Sequence, residues 1–159
     1  MSKKLLILSD SHGFNNLIDE VLKKEQGKYD YACCAGDYCT EILYMKQRFN
    51  WFVDGNNDYG YKDIQTFKIE NLKFVLVHSQ HQFSFDKNKY FSALRELGKQ
   101  HQDNVVIYGH THYQDIDQTE EPILVNPGSI ALPRGPKKTS SYVIATIDKD
   151  KISFKVKYI

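Results

Sequence analysis

Apolar positions along this chain fall into short runs that alternate with amphipathic stretches. Leu5-Leu6-Ile7-Leu8 is a continuous apolar run of strand length; Leu17, Ile18, Val21 and Leu22 then recur at helical spacing, with Asn15 or Asn16 available as N-cap. Tyr31 to Ala35 reads as a second strand, Ile42 to Phe49 as a short helix and Trp51-Phe52-Val53 as a third strand. A βαβαβ beginning of this kind predicts a mostly parallel sheet with helices packed on it.

The second half is patterned differently. Phe67 to Ile69 and Lys73 to Val77 read as strands joined by a turn at Glu70-Asn71-Leu72, and Asp86 is placed to cap a helix carrying Tyr90, Phe91, Leu94 and Leu97 on one face. Asn104 to Tyr108 is a further buried strand. Ile123 to Val125, Tyr142 to Ile147 and Ile152 to Tyr158 follow, the last two joined by an Asp148-Lys149-Asp150 hairpin turn. The pattern predicts an α/β fold of two packed sheets with helices outside, and leaves strand order open.

Polar residues punctuate this map where strands end. Asp10 and His12 follow the first strand, Gly36-Asp37 the second and Gly55-Asn56-Asn57-Asp58 the third; His78 ends the strand at 73–77, and Gly109-His110-Thr111-His112 follows that at 104–108. The carboxyl ends of parallel strands share one edge of a sheet, where ligands bind, so clusters distant in sequence can converge on one site. Carboxylate oxygens, an amide oxygen and imidazole nitrogens together suit a mid-row divalent metal.

Composition narrows the classes. At 159 residues, without a repeat or a Pro/Gly/Ser linker, one domain spanning 1–159 is expected. A formal net charge of +1 and the lack of a basic stripe argue against a long nucleic acid as partner. Cys33, Cys34 and Cys39 form neither a disulfide framework nor a C-x-x-C pattern, which suggests reduced thiols. The four apolar residues after Lys4 are too few for a secretion signal or membrane span, so a cytoplasmic, membrane-free location is expected.

The series Asp10-Ser11-His12-Gly13, Gly36-Asp37, Gly55-Asn56-Asn57-Asp58, His78 and Gly109-His110-Thr111-His112 resembles the motifs of the calcineurin-like metallophosphoesterases. The resemblance is closest to their small bacterial and archaeal phosphodiesterase branch, which Asn126-Pro127-Gly128-Ser129 with Pro133-Arg134 also matches. It implies a four-layer α/β/β/α sandwich with two mixed β-sheets. One metal would be held by Asp10, His12, Asp37 and His112, and a second by Asp37, Asn56, His78 and His110, with Asp37 bridging. Asp10, Asp37, Asn56 and His78 would form the catalytic core of that set. A hydroxide bridging two divalent ions would attack phosphorus directly, manganese being the first expectation and iron, zinc or nickel the alternatives. The implied substrate is a small phosphodiester or nucleotide, and family habit suggests a homodimer or tetramer.

Departures and plainer explanations stand beside these matches. Many larger members carry His after the Gly-Asn pair as proton donor to the leaving group; Asn57 cannot deliver a proton, so good leaving groups and diesters are expected to be favoured. His81 lies one residue out of register with the small branch, and no role carries over to it. A lone Asp after a strand is commonly a turn former or cap. Five of the six histidines, all but His101, nevertheless fall in or just after motif positions. Asp58 either fixes the Gly-Asn turn or a histidine beside the site by hydrogen bonding, or is a plain exposed turn residue. Asn57 and Arg134 are candidate substrate contacts, the latter in an Arg134 to Lys138 stretch that otherwise reads as a solvated loop. The Asn126 to Ser129 segment reads as a tight turn or a substrate contact, and Tyr38, Tyr59, Tyr61 and Tyr113 as packing residues or stacking platforms. Against the enzyme stands a protein-interaction scaffold like the retromer subunit of the same fold, whose metal motifs are degraded; within the enzyme class a nuclease is the other possibility.

Overall fold

A computed structural model describes residues 1–135 and 137–159, so Pro136 of the Arg134 to Lys138 stretch lies outside the described residues. In chain order the elements are β1 (Lys3–Leu8), α1 (Asn15–Lys24), β2 (Tyr31–Cys34), α2 (Ile42–Lys46), β3 (Trp51–Phe52), β4 (Ile64–Ile69), β5 (Leu72–Val77), α3 (Lys87–Gln100), β6 (Val105–Ile107), β7 (Asp115–Asp117), β8 (Ile123–Asn126), β9 (Ser141–Asp148) and β10 (Lys151–Tyr158). They build two mixed sheets, ordered β10-β9-β1-β2-β3 and β4-β5-β6-β8-β7. The central strands β1, β2 and β3 are mutually parallel, as are β5, β6 and β8. Antiparallel strands flank both sets.

Period-two alternation sorts each buried strand between two apolar layers. Leu5 and Ile7 of β1 point between the sheets, where they join Cys33, Phe74, Leu76, Val105, Ile107, Val125 and Val143. Leu6 and Leu8 point the other way, onto Ile18 and Val21 of α1 and Met45 of α2. Val75, Val77, Val106 and Leu124 meet Tyr90 and Leu94 of α3 on the outside of the second sheet. Both faces of the central strands are thus covered, which explains why their sequences are continuously apolar. The result is the four-layer α/β/β/α sandwich that the resemblance implies. Trp51 of β3 stacks on Phe67 of β4, ring centroids 3.8 Å apart, and pins the sheets together at one border.

The pattern misplaces several details. Asn15 does not cap α1: Phe14 holds the N-cap position, and the Asn15 amide donates instead to Thr40 Oγ1 at 2.9 Å. The short helix α2 ends at Lys46, although Phe49 N–H still bonds the Met45 carbonyl and the Phe49 ring stays buried. His101 caps the C-terminus of α3. Strand β7 was not anticipated, because Asp115-Ile116-Asp117 offers one apolar residue between two acids; its ladder to β8 holds it at the sheet border. No helix among the described residues is long and apolar enough to cross a membrane.

Candidate metal centre

The ends of β1, β2, β3, β5 and β6 bring Asp10, His12, Asp37, Asn56, His78, His110 and His112 to one edge of the sandwich. Their loops are stitched to one another: Asp10 N–H donates to Gly36 O at 3.0 Å, His12 N–H to Asp37 O at 2.9 Å and Gly109 N–H to His78 O at 3.2 Å. Five of the seven residues have left-handed backbone, namely Asp10 (φ 56), His12 (φ 47), Asp37 (φ 52), His110 (φ 75) and His112 (φ 65). That conformation is costly for a residue with a Cβ, and its concentration at one edge is a mark of a functional site. Gly109 has no room for a side chain, since a Cβ there would strike Ser9 Oγ and lie 2.7 Å from Asp10 Oδ2.

Asp10 is fully buried at the centre. Its Oδ2 accepts from Ser9 Oγ at 2.6 Å and from His110 N–H at 3.2 Å. Its Oδ1 faces His112 Nε2 at 3.2 Å, His12 Nε2 at 3.7 Å and His78 Nε2 at 3.8 Å. Asp37 Oδ2 lies 3.2 Å from His78 Nε2 and 3.6 Å from His12 Nε2. Two sets of donors therefore converge, Asp10-His12-His112 and Asp10-Asp37-His78, the atoms of each set lying within 4.8 Å of one another. Asp10 is common to both sets, whereas the family resemblance casts Asp37 as the shared ligand. His110 Nδ1 and Asn56 Oδ1 are 3.2 Å apart beside the second set, the His110 ring lying 5.2 Å from that of His78.

The imidazoles are aimed by the main chain. His78 Nδ1–H donates to Ala35 O and His112 Nδ1–H to Leu132 O, each at 2.7 Å, which turns both Nε2 atoms toward the carboxylates. This is the arrangement by which metal-binding histidines are fixed in tautomer and direction. His78 Nε2 and Asp10 Oδ1 are both buried without a hydrogen-bond partner. Burial pushes the Asp10 carboxyl up, but His112, His12, His78 and Ser9 outweigh it and hold the group well below the usual carboxylate range. Burial likewise opposes ionisation of Asp37, yet His78 and Asn57 keep it low. The nearby Asp10 carboxylate raises His12, and Asp37 with Asp10 raises His78 against its burial; burial and the neighbouring His78 lower His110.

Three candidates from the sequence have defined surroundings. Asn57 donates its backbone N–H to Asp37 Oδ1 and its amide to Asp37 Oδ2, both at 3.0 Å, so it orients a carboxylate. Asp58 accepts from Gly55 N–H and Cys39 N–H, each at 2.8 Å, and from Tyr38 N–H at 3.3 Å, clamping the loops after β2 and β3 together. The Arg134 backbone N–H donates to His112 O at 3.1 Å, while the side chain is exposed. Tyr38 is buried with its hydroxyl on Asp54, and Tyr61 stacks on Phe52; Tyr59 and Tyr113 are exposed.

The Asn126 to Ser129 segment, at and just after the end of β8, is a turn that supports the site, with bonds that its sequence did not specify. Ser129 Oγ donates to Asp10 O at 2.7 Å and accepts the N–H groups of Leu132 at 2.7 Å and Ala131 at 3.1 Å. Asn126 donates to Gly109 O at 3.2 Å and Thr111 Oγ1 at 3.0 Å. The only sequence signal was the Asn-Pro-Gly-Ser turn itself.

Comparison with known proteins bears on this edge. The family model described as the calcineurin-like phosphoesterase superfamily domain matches residues 4–150. A probable metallophosphoesterase of Mycoplasma pneumoniae is 32% identical over 150 residues, covering 94% of this chain and 93% of its own. Among solved structures, a conserved uncharacterized protein of Streptococcus pneumoniae, titled a predicted phosphoesterase, superposes with a TM-score of 0.83 at 27% identity, over 100% of this chain and 90% of that one. A mutant of Vps29 from Entamoeba histolytica gives 0.77 at 20% identity with 98% of both chains covered. A structure titled a novel archaeal phosphodiesterase gives 0.70 at 22%, over 98% and 99%.

Proposed function

Because this chain belongs to the calcineurin-like phosphoesterase superfamily, we propose that it is a phosphodiesterase whose Asp10, His12, Asp37, Asn56, His78, His110 and His112 hold two divalent cations, manganese first among them. One observation carries this reading: Asp10 Oδ1 and His78 Nε2 are buried, unpartnered and turned toward one another's site. Leaving such atoms unsatisfied costs on the order of 1–3 kcal/mol each, a cost that coordination removes. The oxygen and nitrogen donors fit such an ion, and main-chain anchoring of two imidazoles fits ligation. When bound, divalent ions supply Lewis acidity at the phosphoryl oxygens and water ionisable near neutral pH.

The chain's own residues do the rest. Asp10 and Asp37 stay ionised, which keeps both available as charged donors. Asn57 and Asp58 fix the loop that presents Asn56 and the carboxylate of Asp37. Hydrolysis is direct: the oxygen of water bonds to phosphorus as the bond to the leaving ester oxygen breaks. Because the Asn57 amide is committed to Asp37 and cannot protonate that oxygen, esters with good leaving groups are the favoured substrates. The buried thiols of Cys33 and Cys34, pushed up by desolvation, fit a cytoplasmic setting.

The scaffold function is separated by turnover. Metal binding alone does not separate it, since a structure of wild-type Vps29 is titled as complexed with zinc. The test is hydrolysis of a chromogenic aryl phosphodiester by metal-stripped protein titrated with Mn²⁺, beside Asp37→Ala. Activity that returns with metal in the unsubstituted protein, and falls at least a hundredfold in the variant, is expected. Binding without turnover of any diester overturns the reading.

A further inference from the structure

Phe85 is 96% exposed in the loop that leads from His78 into α3. A bare phenyl ring at such a position has an ordinary explanation, the hydrophobic staple, in which the residue before a helix N-cap packs on the fourth residue of the helix. Here the N-cap is Asp86, which accepts Asn88 N–H at 3.0 Å and Lys89 N–H at 3.4 Å, and the fourth helical residue is Tyr90. Phe83 has taken that place: its ring lies edge-on to Tyr90 at 5.3 Å and edge-on to His110 at 5.1 Å. Phe85 then meets Phe83 edge-on at 5.1 Å and leaves nearly all of its surface in water. Packing does not account for it.

Its position does. Ring contacts link Phe85 through Phe83 to His110 of the candidate metal centre, two ring-to-ring steps away. The capped start of α3 holds the backbone beside Phe85, so the platform is presented by a fixed element. Phe14, Tyr59, Tyr113 and Leu132, the last accepting from His112 through its carbonyl, are also exposed in loops that carry candidate ligands. Exposed apolar surface gathered around a polar, charged centre marks a ligand that has both characters.

We infer that Phe85, backed by Phe83, is a stacking platform for a nucleobase on the ester group of the substrate, making the preferred substrate class nucleotide phosphodiesters. The inference rests on the phosphodiesterase reading and deepens it. Net charge of +1 agrees with a short nucleotide over a long polyanion. Phe85 is a specificity residue; it touches the substrate's base and takes no part at phosphorus.

Two esters with the same leaving group isolate the effect: an adenosine 5′-phosphorothiolate and a methyl phosphorothiolate, both losing ethanethiolate, followed by thiol release. The unsubstituted enzyme should favour the adenosine ester. Phe85→Ala should lower its kcat/KM about tenfold, the size of one base–aromatic contact, through KM, and leave the methyl ester within twofold. Phe85→Trp should restore the preference. An adenosine-to-methyl ratio unchanged in Phe85→Ala, or equal loss on both esters, overturns the inference. Failure to hydrolyse either ester, with the chromogenic aryl diester also left intact, overturns the phosphodiesterase reading; wherever neither ester is hydrolysed the platform is read separately: Phe85→Trp fluorescence quenched by adenosine monophosphate but not by ribose 5-phosphate supports it, and quenching by neither overturns it.

Discussion

The space between the two sheets and the edge where their strands end are built from the same strands, yet they follow opposite rules. Between the sheets, Leu5, Ile7, Phe74, Leu76, Ile107 and Val143 are apolar and carried on extended, fully paired backbone. A few residues further on, the chain turns left-handed at Asp10, Asp37, His110 and His112 and buries polar atoms that have no partner. Every rule that makes a strand stable is broken within one turn of where the strand stops. The regular part supplies the stability that lets the edge persist in an arrangement no isolated loop would hold.

If the two regions are separable in this way, damage to one should be read differently from damage to the other. Phe74 is fully buried between the sheets and stacks on Phe67 at 5.1 Å. Phe74→Ala should cost about 3–5 kcal/mol of stability, the range for a core phenyl ring. The metal affinity and kcat/KM of the molecules that remain folded should not change. Urea unfolding with a metal titration of the same sample reads both, and a tenfold loss of affinity in the folded fraction would break the comparison.

Ser129→Ala attacks the edge instead. It leaves the Asp10 carbonyl without its donor and the Leu132 and Ala131 N–H groups without their acceptor, in the segment whose Leu132 carbonyl aims His112. The stability cost should be about 1–3 kcal/mol, less than that of Phe74→Ala. Metal affinity should fall at least tenfold, as it does when groups orienting a ligand are removed. A variant that loses stability but binds Mn²⁺ as before would show that the turn only holds the chain together.

These residues also show what a sequence can carry. The parallel strands were legible because burial on both faces makes their runs continuously apolar, and the candidate ligands stood out because they follow such runs within a few residues. Ser129 was not legible as a support, since its partner Asp10 is 119 residues away and serine after Pro-Gly looks like any turn. Asp58 left two explanations open for the same reason: its acceptors' partners Tyr38 and Cys39 belong to another loop. Strand order depends on pairing between distant segments, which local patterning does not encode, whereas β7 was hidden because one apolar residue stands between two acids. Asn15 shows a local signal overruled, its amide drawn to Thr40 by the packing of two loops.

The smallest effect sharpens the comparison most, because it concerns a second buried carboxylate. Glu25, as hidden as Asp10, has the cationic partner that Asp10 is without: its Oε1 accepts from Lys157 Nζ at 2.7 Å and from Tyr142 Oη at 2.6 Å, tying the end of α1 to β9 and β10. Burial raises its carboxyl, but the Lys157 and Tyr142 hydrogen bonds outweigh that and bring it below the usual glutamate value. A carboxyl depressed in the folded state contributes stability above its unfolded pKa, and that contribution is lost as pH falls through the folded value. Glu25→Gln should therefore cost about 1 kcal/mol at neutral pH. Below about pH 4.5 the difference from the unsubstituted protein should shrink toward zero as Glu25 itself takes up a proton. Urea midpoints across that range measure it, and a difference constant with pH would show that the partners hold Glu25 by shape alone. Metal affinity should be untouched throughout, because Glu25 is bonded from within the fold and lies outside the candidate donor sets, whereas Asp10 keeps a buried oxygen without a partner.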